Sequence, residues 1–207
     1  MSWFERFGRD NSESAEQRQE KWQRLRAEVD RIVDGLGRRI DEGIKPLVVA
    51  LKANGFGTTG SCEGHPEDEY AYPWVDVESD LAERYYFTSR FKELADGRPR
   101  TPAEDQEFFR MMNLIKRANQ KTYKQLGQVL GEYYAAHANK TRGSDLEIDL
   151  WGWNRSRLQP IGIPDAETQA TVPDPTSAKE RIAKLSEYKL AIDEFTEFLT
   201  RKYLRPQ

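Results

Sequence analysis

At 207 residues with a net charge of −3, the chain has room for one domain with helical extensions, and its charge balance excludes bulk attraction to nucleic acid or anionic membrane. A single cysteine excludes an internal disulfide framework. No run approaches the roughly 18 apolar residues of a bilayer span, and nothing at the start reads as a secretory segment, so a cytoplasmic protein is expected.

Residues 1–13 read as a loose N-terminal segment. Ser12 or Ser14 suits a helix cap, and Trp22, Leu25, Val29, Ile32, Val33, Leu36 and Ile40 then recur at steps of three and four, one apolar helix face. Gly43 interrupts that pattern, and Pro46 suits the first turn of a short apolar helix that stops at Gly55. Phe56 to Cys62 reads as a strand and Tyr72 to Val77 as a second, close enough in sequence to pair as a wide hairpin. A further helix is expected from Ser79 or Asp80 to Gly97. Thr101-Pro102-Ala103-Glu104 is a capping box opening a long helix to about His137. In that helix Gly127 and Gly131 weaken the structure or admit a close neighbour.

Leu146 to Trp151 alternates apolar and acidic residues as a strand does, and a fourth strand is expected around Arg157 to Ile161, placed on an edge by Pro160. Residues 164–177 form a linker rich in proline, threonine and acid, and a capping box at Ser177 opens the closing helix. The expected organisation is a flexible segment 1–13, an α/β core 14–163, the linker, and a C-terminal helix 178–207 packing on the core. The fold class is α/β (α+β): a small, mostly antiparallel sheet of three or four strands covered by about five helices, with long helices at both ends.

Chemistry concentrates at Ser61-Cys62-Glu63-Gly64-His65, where a strand should end and a loop begin. Three chemistries are open there. His65 or Glu63 can move a proton, Cys62 can act as a thiolate nucleophile beside the imidazole, or Cys62 and His65 can ligate a metal with Glu63, Glu67, Asp68 or Asp76. A lone C-x-x-H supplies only two of the four ligands of a structural zinc site, so no metal ligand set is assigned and no cofactor is specified. The candidate catalytic residues are Cys62, Glu63 and His65. Ser61, Asp76, Arg155 and Arg157 are the candidate ligand contacts. The plain alternative makes Cys62 a small buried hydrophobe.

Between Ala53 and Glu83 the chain holds eight carboxylates and no lysine or arginine, so a cation serving this stretch must come from elsewhere. Arg110, Arg117, Lys121 and Lys124 share one face of the long helix, a solvated face or a phosphate-binding stripe. Three function classes follow: a small-ligand or catalytic site on the strand end, with a small-molecule or nucleotide ligand; a helical interaction or homo-oligomerisation protein without catalysis; and an RNA- or nucleotide-directed enzyme.

The stretch G-F-x-T-x-x-S-C-E-G-H, followed by P-W-V-D-V, resembles a group of uncharacterised bacterial and phage proteins. The match runs through Gly55, Phe56, Thr58, Ser61, Cys62, Glu63, Gly64, His65, Pro73 and Val75. It implies a helix leading into a strand, a loop and a second strand, and no particular reaction. A fainter similarity is to the wybutosine-synthesis methyltransferase family of transfer-RNA modification, whose proteins carry T-T-S-S-C-S-G-R after a helix. Thr58, Thr59, Ser61, Cys62 and Gly64 fit that stretch, while an inserted Gly60, Glu63 and His65 depart from it. That similarity implies RNA and S-adenosylmethionine chemistry.

Overall fold

A computed structural model of the protein describes residues 13–33, 36–65, 72–79, 81, 88–138, 145–151, 155–161 and 178–205. Among these are five helices and one antiparallel four-stranded sheet, the expected α+β class. In chain order they are α1 (Ala15–Val29), α2 (Lys45–Ala53), β1 (Gly57–Cys62), β2 (Trp74–Glu78), α3 (Ser89–Ala95), α4 (Pro102–Ala136), β3 (Leu146–Trp151), β4 (Arg155–Pro160) and α5 (Ala178–Leu204). No helix among the described residues is long and apolar enough to cross a membrane.

The N-terminal helix is shorter than its apolar spacing implies. Ser14 caps α1 through a capping box with Gln17, and Asp30 ends it. The chain then turns back on itself through an isolated Val33–Arg39 bridge. Ile32 and Ile40 nevertheless pack against the same core as Trp22 and Leu25, so apolar residues recur past the point where the helix stops. The longest helix is the internal α4, not a terminal one. Residues 80 and 82–87 lie outside the described residues; the single helix expected from Ser79 or Asp80 to Gly97 is not continuous, because the extended Thr88 caps a new helix that runs only over Ser89–Ala95. Ser177 and its capping box also lie outside them.

The sheet order is β1-β2-β4-β3. β1 and β2 form the expected wide hairpin. β4 is internal, which corrects the edge position that Pro160 implies. β2 pairs with β4 only through Ser156, Arg157 and Leu158, so Pro160, opposite Leu146 at the strand end, interrupts no bond to β2.

One sheet face carries Val75, Val77, Leu158 and Leu146 into the main core. There they meet Leu47, Val48 and Leu51 of α2, Leu126, Leu130 and Tyr133 of α4, and Ile192, Phe195 and Leu199 of α5. Trp22 of α1 meets Tyr203 of α5 at 5.9 Å between ring centroids. The apolar stripe of α5 is thus largely spent inside its own chain. Two polar ties fix α4 to the sheet. The Asn119 side-chain oxygen accepts from the Ser79 N–H at 2.7 Å, and the Tyr134 hydroxyl accepts from the Leu146 N–H at 2.6 Å. Among the described residues, a Cβ at the exposed positions 127 and 131 would touch nothing, so no described element uses the two α4 glycines for a close approach.

Candidate functional site

Cys62 is the last residue of β1, and a β-bulge decides which way it faces. The register runs Thr58–Val77, then slips, then Gly60–Asp76, Ser61–Val75 and Cys62–Trp74. The extra residue, Thr59, inverts the alternation beyond it. Directly opposed residues share a face, so Cys62 and Gly60 lie with Trp74 and Asp76, while Ser61 lies with the core residue Val75. Without the bulge Cys62 would face the core.

A second segment completes the strand end. Residues 41–44 turn into α2, and the Asp41 carbonyl accepts the N–H groups of Ile44 and Lys45, each at 3.2 Å. Asp41 thereby caps α2 with its backbone and turns its side chain toward the end of β1. Its Oδ2 accepts from the Glu63 N–H at 3.2 Å and lies 3.4 Å from His65 Nε2. A carboxylate oxygen of Asp41, the Cys62 sulfur and a His65 ring nitrogen all fall within 4.8 Å of one another. The side chains of His65 and Asp41 are 39% and 32% exposed, so the cluster is reachable from solvent yet held on one side by protein. Asp41 is the functional candidate that sequence reasoning missed. It is one of 35 acidic residues, and only the N-terminal turn of α2 marks it.

Glu63 has a different task from its neighbours. Its Oε2 accepts the Gly43 N–H at 2.6 Å, clamping the turn before α2 onto the end of β1. A Cβ at Gly43 would sit 2.5 Å from that oxygen, so the clamp needs a glycine there. Gly64 takes φ +77°, and its N–H donates to the Cys62 sulfur at 3.3 Å. Leu185 of α5 closes over this glycine. The reversal it allows brings His65 back toward Asp41.

Asp76, Arg155 and Arg157 lie on the same sheet face as Cys62 but form a unit of their own. Arg157 donates to both Asp76 oxygens, at 2.7 and 3.1 Å, and Arg155 reaches Asp76 at 3.2 Å. Asp76 and Arg157 are buried, and the guanidinium lies 3.9 Å from the centroid of the Trp74 ring. The indole edge also passes over Gly60, where a Cβ would meet it at 3.3 Å. Trp74 thus connects the rung of Cys62 to the ion pair. A diagonal neighbour across paired strands sits about 7–8 Å away, so Asp76 is one diagonal from Cys62 and not beside it.

The other candidates fall elsewhere. His137 is buried at the end of α4, its Nδ1 donating to the Tyr133 carbonyl at 2.8 Å while its ring packs against Tyr133 and Phe198. It is a core histidine. Glu67 and Asp68 lie outside the described residues. Arg110 and Arg117 line the exposed side of α4 beside Gln106, Asn113 and the apolar Phe109 and Leu114. Lys45, which follows the Asp41 turn, is held by Glu42 and Asp30, and the Glu42 carboxylate raises its pKa above the usual lysine value.

No family model, no curated protein and no solved structure matches this chain.

Proposed function

We propose that the S-C-E-G-H strand end is a small-ligand or catalytic site whose working groups are the Cys62 thiol, the His65 imidazole and the Asp41 carboxylate. One observation carries the reading: three chemically distinct side chains from two separate stretches converge within 4.8 Å on a half-exposed surface. A thiol, a base and a carboxylate that orients the base are the parts of a nucleophilic site. In this role His65 takes the thiol proton and Asp41 holds the ring through the 3.4 Å contact to Nε2. Glu63 contributes by positioning, through its clamp on the Gly43 N–H.

The test is the alkylation rate of Cys62 by iodoacetamide at one fixed pH, with a chelator present. The folded protein is compared with the urea-unfolded chain and with His65→Ala. An activated thiol in the folded protein reacts faster than the unfolded chain, and His65→Ala slows it about tenfold or more. A folded-state rate below that of the unfolded chain, unchanged by His65→Ala, makes Cys62 a packing residue and overturns the reading.

A further inference from the structure

We propose that Asp41, Cys62 and His65 bind a divalent cation of the zinc class, with a carboxylate oxygen, the sulfur and one ring nitrogen as three protein ligands and a fourth position open to a small molecule. The proposal rests on the strand end being the functional site; the thiol–imidazole chemistry above belongs to the metal-free protein, and with the ion bound the same three groups are its ligands.

The geometry needs little adjustment. Zinc bonds of about 2.0–2.3 Å in a tetrahedron put ligand atoms about 3.3–3.8 Å apart. The three donor atoms already lie within 4.8 Å of one another, and none of the three residues is buried. Small rotations of half-exposed side chains close the difference. The donor set also selects the ion. Sulfur and imidazole suit zinc and its borderline neighbours, whereas magnesium and calcium take oxygen shells. Three protein ligands with one open position is the pattern of a zinc site that acts on a bound molecule.

Two backbone donors already orient the would-be ligands. The Glu63 N–H holds the Asp41 carboxylate, and the Gly64 N–H points at the Cys62 sulfur. Such outer contacts fix ligand geometry in metal sites. The Glu63–Gly43 clamp holds the two ligand-bearing segments together.

Charge completes the argument. A cysteine thiolate, the Asp41 carboxylate and the adjacent Glu63 carboxylate leave the strand end strongly negative in the metal-binding form. Three cations near the strand end are already paired with carboxylates: Lys45 with Glu42 and Asp30, and Arg155 and Arg157 with Asp76. A divalent ion would offset that negative charge.

The experiment titrates chelator-treated full-length protein with Co²⁺ and then with Zn²⁺. One equivalent of Co²⁺ should produce sulfur-to-cobalt charge-transfer absorption with a tetrahedral visible spectrum, and Zn²⁺ should displace it. Cys62→Ser should abolish the charge-transfer band, and Asp41→Asn and His65→Ala should each weaken cobalt affinity at least tenfold. Metal-free unfolding midpoints check that each variant is folded; His65→Ala, at a half-exposed loop position, serves if Cys62→Ser fails to fold. A cobalt spectrum like that of the aqueous ion, or a band that survives Cys62→Ser, overturns the proposal. If cobalt does not bind but the alkylation of Cys62 is still accelerated by His65, the cation assignment alone falls. If both are lost, the site reading falls with it.

Discussion

Gly64 takes φ +77°, and a Cβ there would lie 2.7 Å from Leu185 Cδ1 and 2.8 Å from the Tyr72 carbonyl carbon. Gly37 shares the same φ but has nothing within 4 Å. The left-handed backbone alone costs a non-glycine residue about 1–2 kcal/mol, and crowding against fixed backbone adds about 1–3 kcal/mol more. Gly64→Ala should therefore lower unfolding stability by about 3 kcal/mol, and Gly37→Ala by about 1 kcal/mol, in urea titrations. Equal losses at the two positions would show that Leu185 and Tyr72 do not close on the site. Cys62 and His65 are legible as candidates from the sequence because each is a rare residue beside a glycine turn. Asp41 is not, because nothing distinguishes one aspartate among many until α2 is placed against β1. Glu63 is legible as a candidate, but its bond to the Gly43 N–H is not, because only the docking of the α2 turn on β1 brings the two together.

At the scale of elements, α4 shows how local signals and tertiary context divide the work. The Thr101–Glu104 capping box forms as its residues predict, and Glu104 also pairs with Arg98 at 2.7 Å. The Arg98 guanidinium, with help from the Thr101 N–H, holds the Glu104 carboxyl at about 2, down from 4.5. A depressed carboxyl stabilises the fold above its unfolded value and loses that contribution as pH falls through its folded value. The stability gap between wild type and Glu104→Gln should thus stay constant above about pH 4.5 and close toward pH 2. A gap that does not change over that range would show that Glu104 is not held in its charged form. Further along, Gly127 and Gly131 are exposed, and a Cβ at either would meet nothing among the described residues. Replacing either with alanine should raise stability by about 1 kcal/mol, since only helix propensity changes; no gain in thermal unfolding would mean that the glycines serve a contact. Pattern reading fails at α1 for a physical reason. Ile32 and Ile40 continue the spacing of a helix because the turn that carries them also buries against the core. It fails at β4 because proline forbids an internal strand only where a partner needs its N–H, and β2 ends short of Pro160.

For the whole molecule, among the described residues the helices pack their core on one face of the sheet, while the other face carries the buried Asp76–Arg157 pair and the strand-end site. The α+β class is readable from LEIDLW, the Thr101 capping box and the glycine stop after α2, each a local rule that tertiary structure leaves intact. The direction in which β1 presents its side chains is not readable, because one bulged residue decides it. That bulge sets Cys62 on the face of Trp74 and Asp76, and the α2 turn then brings Asp41 to it from an earlier part of the chain. The site is therefore a product of how α2 docks on β1, and Asp41 is the residue through which that docking reaches the chemistry. The alkylation rate of Cys62 in metal-free Asp41→Asn protein tests this most directly. Asparagine can still accept the Glu63 N–H, so the unfolding midpoint should hold while the rate falls about tenfold. A rate equal to that of the wild type, with the fold intact, would contradict a shared Asp41–Cys62–His65 site.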